Sequence, residues 1–394
     1  KDVKKEKIIN LRPERANKLL GIDISQDSML DYLNSLGIKS ELRDGLIYAT
    51  VPSHRMDLTI EADLIEEIGR LYGFHNIESQ PLTGVLTRGQ KPYDKLIEDK
   101  TKAILLGLGY NEVMTYSFIS PKAYNKINLA EDSKLRDSIK LLNPLGEDFS
   151  VMRTTLIPNM MELLARNYNR SVERVYAAEI GNIFIADKNS PDNLPREAKV
   201  LSLGFYGADD FYYLKESVET LLNRLGIYGG QYIREESNPS FHPGRTAKII
   251  IDGYELGILG EIHMDVCDNY HLNQRVYIAE LDFEKIIELA DFERKYTILP
   301  KYPSSSRDIA LVVDEEVLYG DIQNIVIKHG KDLVEKIELF DIYRGDQVPE
   351  GKKSIAFSIL YRSHEKTLTD NEVNQIQELI VSDLENSLDG ILRS

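Results

Sequence analysis

The sequence predicts a multidomain α+β protein. Three observations carry that prediction. The chain has 394 residues, which at roughly 100–200 residues per domain is two to four domains. Helical spacing and extended runs alternate along its whole length. The stretch 293–394 reads β-α-β-β-α-β, the ferredoxin-like split motif.

Composition and charge bound the rest. The hydrophobic fraction is 42% and the charged fraction 28%, ordinary for folded protein and enough for several cores. The formal net charge of −16 repels phosphate at long range, so nucleic acid must be met by a local basic face or by shape and stacking. The same acidity also serves solubility. Cys267 is the single cysteine, which rules out an intrachain disulfide and fits a reducing compartment. The charged start, Lys1 to Lys7, has no apolar run behind it. No stretch approaches the roughly 18 apolar residues of a spanning helix. We expect a cytoplasmic protein that makes no membrane contact.

The first segment, 1–80, mixes short helices and strands. Arg12-Pro13-Glu14 opens a helix through Leu20, with Pro13 suited to the first turn. Helical spacing at Met29, Leu30, Tyr32 and Leu33 predicts a helix over 26–36, stopped by Gly37. Leu46 to Val51 reads as a strand ended by Pro52. A helix over 61–72 has the stripe Leu64, Ile65, Ile68, Leu71 and Tyr72, with Gly73 as its C-cap. Residues 81–90 carry little periodicity and read as a linker.

In the second segment, to residue 292, helices are expected at 93–106, 157–168 and 211–225, and strands at 112–118, 175–185 and 200–206. Ala247 to Ile251 and Glu255 to Leu259 form a hairpin, because Asp252-Gly253 tolerates the positive φ of a tight turn. A mixed, largely antiparallel sheet under helices results. In the third segment, 293–394, strands are expected at 307–313, 334–343 and 354–361, with a helix at 319–328. A long helix over 369–388 starts on the capping box Thr369 and Glu372, and a last strand lies at Ile391-Leu392.

Several residue sets bear on chemistry. Asp63, Glu66 and Glu67 share one helix face, with Asp57 on the approach. Converging carboxylates suit Mg²⁺, while acidic residues in a first turn also simply favour the helix's positive end. Gly107-Leu108-Gly109 lacks the lysine of a phosphate loop, and neither CxxC nor HExxH occurs, so zinc is not expected. Cys267 reads as a small buried residue.

Three blocks resemble the β subunits of bacterial-type phenylalanyl-tRNA synthetases. The first is Pro52-Ser53-His54-Arg55-Met56-Asp57 with Glu61 to Phe74, where His54 stands in place of a common aromatic. The second comprises Asn143-Pro144-Leu145, Met152 to Pro158, Glu179-Ile180-Gly181 and Phe241-His242-Pro243-Gly244-Arg245. The third comprises Tyr302-Pro303, Arg307 to Leu311, Leu339 to Tyr343, Lys352 to Tyr361 and Leu368-Thr369-Asp370. The resemblance covers the chain but not the whole family protein: it implies a piece without the N-terminal tRNA-binding and editing domains.

That resemblance implies a small α/β domain at 1–80, a catalytically inactive class II synthetase-like domain at 81–292, and a ferredoxin-like anticodon-binding domain at 293–394. It implies Mg²⁺ at Asp57, Asp63, Glu66 and Glu67, near the interface with an α subunit. It implies a non-catalytic β subunit of phenylalanine–tRNA ligase, with ATP bound by the α subunit, in an (αβ)₂ assembly that binds tRNA(Phe). A large apolar surface on the middle domain should be covered by α. Class II enzymes grip ATP with an arginine–x–glutamate pair and a late arginine. Here Arg153 is followed by Thr154 and Thr155, and Glu280 to Glu284 is acidic where the late arginine would stand, so adenylation is not expected. Arg153 then reads as half of a structural ion pair, and His242 to Arg245 as a turn before a strand.

For RNA, stacking aromatics and cations are available at Tyr302, Arg307, Phe340, Tyr343, Arg344, Lys352, Lys353, Arg362 and Lys366. Alternation leaves Arg307 open to a second reading, a strand end paired to a carboxylate. Two other functions compete: a free-standing class II-like ATP-dependent ligase, and an assembly protein that binds no RNA. The missing ATP grip opposes the first and the ferredoxin-like domain the second.

Overall fold

A computed structural model describes residues 7–187, 194–296 and 298–393. Apart from Lys7, the charged N-terminal stretch lies outside them. Two units emerge, Lys1–Gly89 and Gln90–Ser394.

The first unit runs β1 (Lys7–Leu11), α1 (Pro13–Leu20), α2 (Gln26–Ser35), β2 (Lys39–Arg43), β3 (Leu46–Val51) and α3 (Glu61–Tyr72). Its antiparallel sheet has the order β1-β3-β2. Leu64, Ile65 and Ile68 of α3 pack on Met29, Leu33, Ile47 and Ala49. Sequence periodicity does not reveal β2: Lys-Ser-Glu-Leu-Arg is polar and largely exposed, and only its pairing with β3 makes it a strand. No helix or strand occurs over 77–92.

The second unit continues with α4 (Tyr93–Gly107), β4 (Asn111–Glu112), β5 (Phe118–Ile119), α5 (Ala123–Lys126), β6 (Val151–Met152), α6 (Ile157–Tyr168), β7 (Val175–Ile185), β8 (Arg196–Tyr206) and α7 (Phe211–Arg224). Then follow β9 (Gln231–Arg234), β10 (Phe241–Ile251), β11 (Tyr254–Ile262), α8 (Met264–Asn269), β12 (Val276–Asp282) and α9 (Phe283–Leu289). Seven of these strands build one sheet of order β4-β7-β8-β12-β11-β10-β9, antiparallel except where β4 meets β7, while β5 and β6 pair with each other apart from it. One face packs Leu203, Phe205, Tyr277 and Ile249 against Leu214, Val218 and Leu221 of α7. The other packs Ala177, Tyr206 and Ile278 against Met160, Met161 and Leu164 of α6. Asp252 and Gly253 turn the β10–β11 hairpin with φ of 50° and 78°, the positive pair that a two-residue loop requires.

The expected strand over 112–118 is corrected to two short pieces, β4 and β5, in different sheets. The intervening backbone spends its hydrogen bonds elsewhere. Thr115 N–H donates to the Glu179 side chain, and Ser117 O accepts from Arg153 N–H.

The C-terminal part comprises β13 (Ser305–Asp314), α10 (Tyr319–Gly330), β14 (Val334–Tyr343), β15 (Lys352–Tyr361), α11 (Asp370–Leu388) and β16 (Ile391–Leu392). The sheet order is β14-β15-β13-β16, the β-α-β-β-α-β arrangement. Ile309, Leu311, Ile355, Phe357 and Ile359 face Ile322, Val326, Val373, Ile380 and Leu384 of the two helices. Thr369 and Glu372 form the capping box of α11.

Candidate functional site

Beside β7, one strand in from an edge of the seven-stranded sheet, lies a buried polar cluster. Arg153 and Glu179 are each 3% exposed and pair at 3.0 Å. Arg153 also donates Nε to Asn182 O at 2.9 Å and Nη1 to Thr115 Oγ1 at 2.8 Å, while Thr115 Oγ1 donates to Glu179 Oε2 at 2.7 Å. Gly181 leaves room for the guanidinium, since a Cβ there would stand 2.5 Å from Arg153 Nη2. Glu179-Ile180-Gly181 thus supplies the charge and the space together. The carboxylate absent beside Arg153 in sequence arrives from β7, 26 residues on. The cluster closes on itself and offers no free cation.

Glu280, on β12, accepts from Thr155 Oγ1 at 2.9 Å and from Leu156 N–H at 2.6 Å. It therefore sits at the start of α6, where the helix's positive end favours a negative charge. Burial pushes its carboxyl up from the ordinary value, against the pull of those donors. The predicted acidic helix start resolves into this strand residue and Asp282, whose side chain caps α9 through Lys285 N–H.

An open cleft of about 590 Å³ lies over this face, lined among others by Arg196, Lys199, Glu235, Lys248, Glu280 and Asp282. Its cations are engaged. Lys248 meets Glu235 at 3.2 Å and Glu255 at 3.1 Å. Lys199 meets Glu98 at 3.0 Å, and Arg196 meets Glu284 at 3.6 Å. His242 to Arg245 lies inside β10 rather than before it, at a register shift. Gly244 N–H donates to His242 Nδ1, and Arg245 binds Glu261. Cys267 is buried, which pushes its thiol up to about 12.

The acidic helix is arranged differently from a preformed metal site. Asp63 reaches back to accept from Thr59 N–H at 2.6 Å and Ile60 N–H at 2.8 Å, satisfying donors that helix starts leave open. These contacts hold its carboxyl below the ordinary range. Asp57 and Glu67 converge on one point, where Arg55 Nη2 stands 2.7 Å from the first and 2.6 Å from the second. Glu67 also meets Arg70 at 2.5 Å, while Glu66 is exposed. Among the described residues no three acidic, histidine or cysteine side chains stand together as a metal centre. The donor set is nonetheless the hard oxygen chemistry that Mg²⁺ prefers, and two of its members already surround a cation.

On the C-terminal sheet the expected RNA-facing cations are paired within the protein. Arg307 shares the parity of Ile309 and Leu311, on the helix-covered face, and meets Asp370 at 2.8 Å; this is its strand-end reading. Arg344 meets Glu315 at 2.7 Å, and Arg362 meets Glu335 at 2.7 Å while donating to Tyr302 O. Lys366 pairs with Glu372 and Lys352 with Asp314. Lys353 is buried and donates to Glu315 O. The open face carries Tyr343, with the Arg393 guanidinium 5.3 Å over its ring. Phe340 is exposed at the bulge of β14.

An apolar surface escaped residue-level reading. Met114 and Tyr116 are 88% and 75% exposed, and Phe118, Leu142 and Phe149 are exposed as well. Tyr116 and Phe149 meet edge to face. The alternation Met114, Tyr116, Phe118 was its signal, hidden because it resembles a strand with one buried face.

Three family models match: "tRNA synthetase B5 domain" over residues 9–74, "Phenylalanyl tRNA synthetase beta chain CLM domain" over 77–283, and "Ferredoxin-fold anticodon binding domain" over 300–393. A phenylalanine–tRNA ligase beta subunit of Clostridium tetani is 43% identical over 99% of this chain and 49% of its own length. That of Clostridium acetobutylicum is 43% identical over 96% of this chain and 48% of its own. The chain spans about half the length of these curated relatives.

Proposed function

Because the chain belongs to the phenylalanyl-tRNA synthetase β-chain family, we propose that it is a non-catalytic, scaffolding and RNA-binding portion of phenylalanine–tRNA ligase. In this reading ATP and phenylalanine react on an α subunit, in an (αβ)₂ assembly in the cytoplasm. This chain supports that subunit and binds tRNA(Phe). The supporting observation is the Arg153–Glu179 pair, which is spent on its own neighbours. Phosphoryl chemistry needs cations free to neutralise developing charge, and the cleft's cations are engaged too.

The exposed apolar surface around Tyr116 is the α-facing side in this proposal, since obligate interfaces bury apolar area. RNA meets the open face of the C-terminal sheet, where Tyr343 and Phe340 offer rings and Tyr302, Arg344, Arg362 and Lys366 border it, while Arg307 can reach RNA only from the helix-covered side at the strand's end. Few phosphates are engaged, because those cations already have protein partners; the salt slope is therefore shallow. Asp57, Asp63, Glu66 and Glu67 would hold Mg²⁺, which would supply a hard positive charge to these carboxylates.

Mixing the chain with the family's α subunit tests this reading. The expected result is co-elution and tRNA(Phe) binding, with no ATP–pyrophosphate exchange by the chain alone. Exchange by the isolated chain would overturn it.

A further inference from the structure

In the first unit, the segment between β3 and α3 sends one cation between two carboxylates. Arg55 N–H donates to Pro52 O at 3.0 Å, a turn that brings the side chain back to α3. Its Nε donates to both Asp57 oxygens at 3.1 Å. Its Nη2 donates to Asp57 Oδ2 at 2.7 Å and to Glu67 Oε1 at 2.6 Å. A single nitrogen thus stands where oxygens from the loop and from the helix meet.

Charge explains why it stays there. Two carboxylates this close repel unless a cation lies between them. The Glu67 side chain is only 12% exposed, so water screens it poorly. Arg70 takes its other oxygen at 2.5 Å. Two carboxylates and two guanidiniums leave the group neutral. A divalent ion gains little from a neutral group, so it binds well only where a guanidinium gives up its place. Among the described residues Arg70 pairs with Glu67 and not with Asp57; Arg55 alone bridges the two. The bridge is also shallow. The Arg55 side chain is 22% exposed and that of Asp57 59%, so the arginine can turn out to water without unpacking the core. Asp63 stays apart, held by Thr59 N–H and Ile60 N–H.

We propose that Arg55 is a resident counter-ion of the Asp57–Glu67 pair, which it occupies in place of a divalent cation and vacates when Mg²⁺ takes the pair. The two occupants exclude each other. The apparent affinity for Mg²⁺ is therefore the intrinsic one reduced by the fraction of time that the guanidinium is out. In the free chain Arg55 draws Asp57 to Glu67 and so ties the loop to α3. The inference rests on the reading that these carboxylates take Mg²⁺.

Isothermal calorimetry of the chain with Mg²⁺, run beside urea unfolding, tests it. Arg55→Gln should bind Mg²⁺ roughly tenfold more tightly than the wild type, as expected where the pair is free about one-tenth of the time. Without Mg²⁺ the same variant should unfold at lower urea. Arg55→Lys should stay near the wild type, because an ammonium also competes. Arg70→Gln removes the same charge from the same carboxylate but leaves the bridge, so it should gain clearly less. In the ¹⁵N-labelled wild type the Arg55 Nε–H resonance should move as Mg²⁺ saturates the heat; a resonance that stays put at saturation would overturn the inference, and it decides the matter even if Arg55→Gln does not fold. Equal or weaker binding by a folded Arg55→Gln would show that the arginine builds the site, and would overturn the inference alone. An equal gain in Arg70→Gln would reduce the effect to bulk charge, with the same consequence. No Mg²⁺ heat from either the wild type or Arg55→Gln would overturn it together with the metal reading.

Discussion

Arg55 is a cation held between two carboxylates, at 2.7 Å from Asp57 and 2.6 Å from Glu67. A divalent ion at these residues would have to compete with that guanidinium, which predicts weak affinity in the isolated chain. We expect isothermal calorimetry with Mg²⁺ to register weak heat, and Asp63→Ala with Glu67→Ala to abolish it; identical heat in the variant would remove these carboxylates from any metal role. Glu280 illustrates the opposite balance. Its folded-state value is raised above that of the unfolded chain by burial. Its contribution to stability is complete below the unfolded value and is lost as pH rises through the folded one. Glu280→Gln should therefore gain stability relative to wild type as pH rises above the ordinary value near 4.5, read as urea midpoints from about pH 4 to 8.

At the scale of elements, local chemistry decides the long segments. The capping box of α11 joins Thr369 Oγ1 to the Glu372 carboxylate at 2.9 Å. Thr369→Ala should cost about 1 kcal/mol, measured as faster amide exchange in α11 and in β15 beneath it. Such elements are legible in sequence because their signals lie within a few residues: the Asp252-Gly253 turn and the stripe of α3 are others. What was not legible depends on distant partners. β2 is a strand because β3 pairs with it, and residues 113–117 are not, because Glu179 and Arg153 take their backbone groups. At the site, the sequence shows the Arg153 and Glu179 residue types but not that a chain separation of 26 residues is closed to bring them together.

At the scale of the molecule, Met114, Tyr116, Phe118 and Phe149 are all exposed, and Tyr116 meets Phe149 edge to face. Large contiguous apolar surface marks an interaction site. Tyr116→Glu should leave thermal unfolding unchanged and abolish co-elution with the α subunit in gel filtration; retained co-elution would place that contact elsewhere. Within the second unit, each cluster of buried apolar side chains stays inside one sheet's territory, 97–290 or 309–384. A polar tie, Arg234 with Glu316, crosses from one to the other. Among the described residues no oily seam joins the two, so we expect added salt to slacken this tie and to leave each core as firm as before.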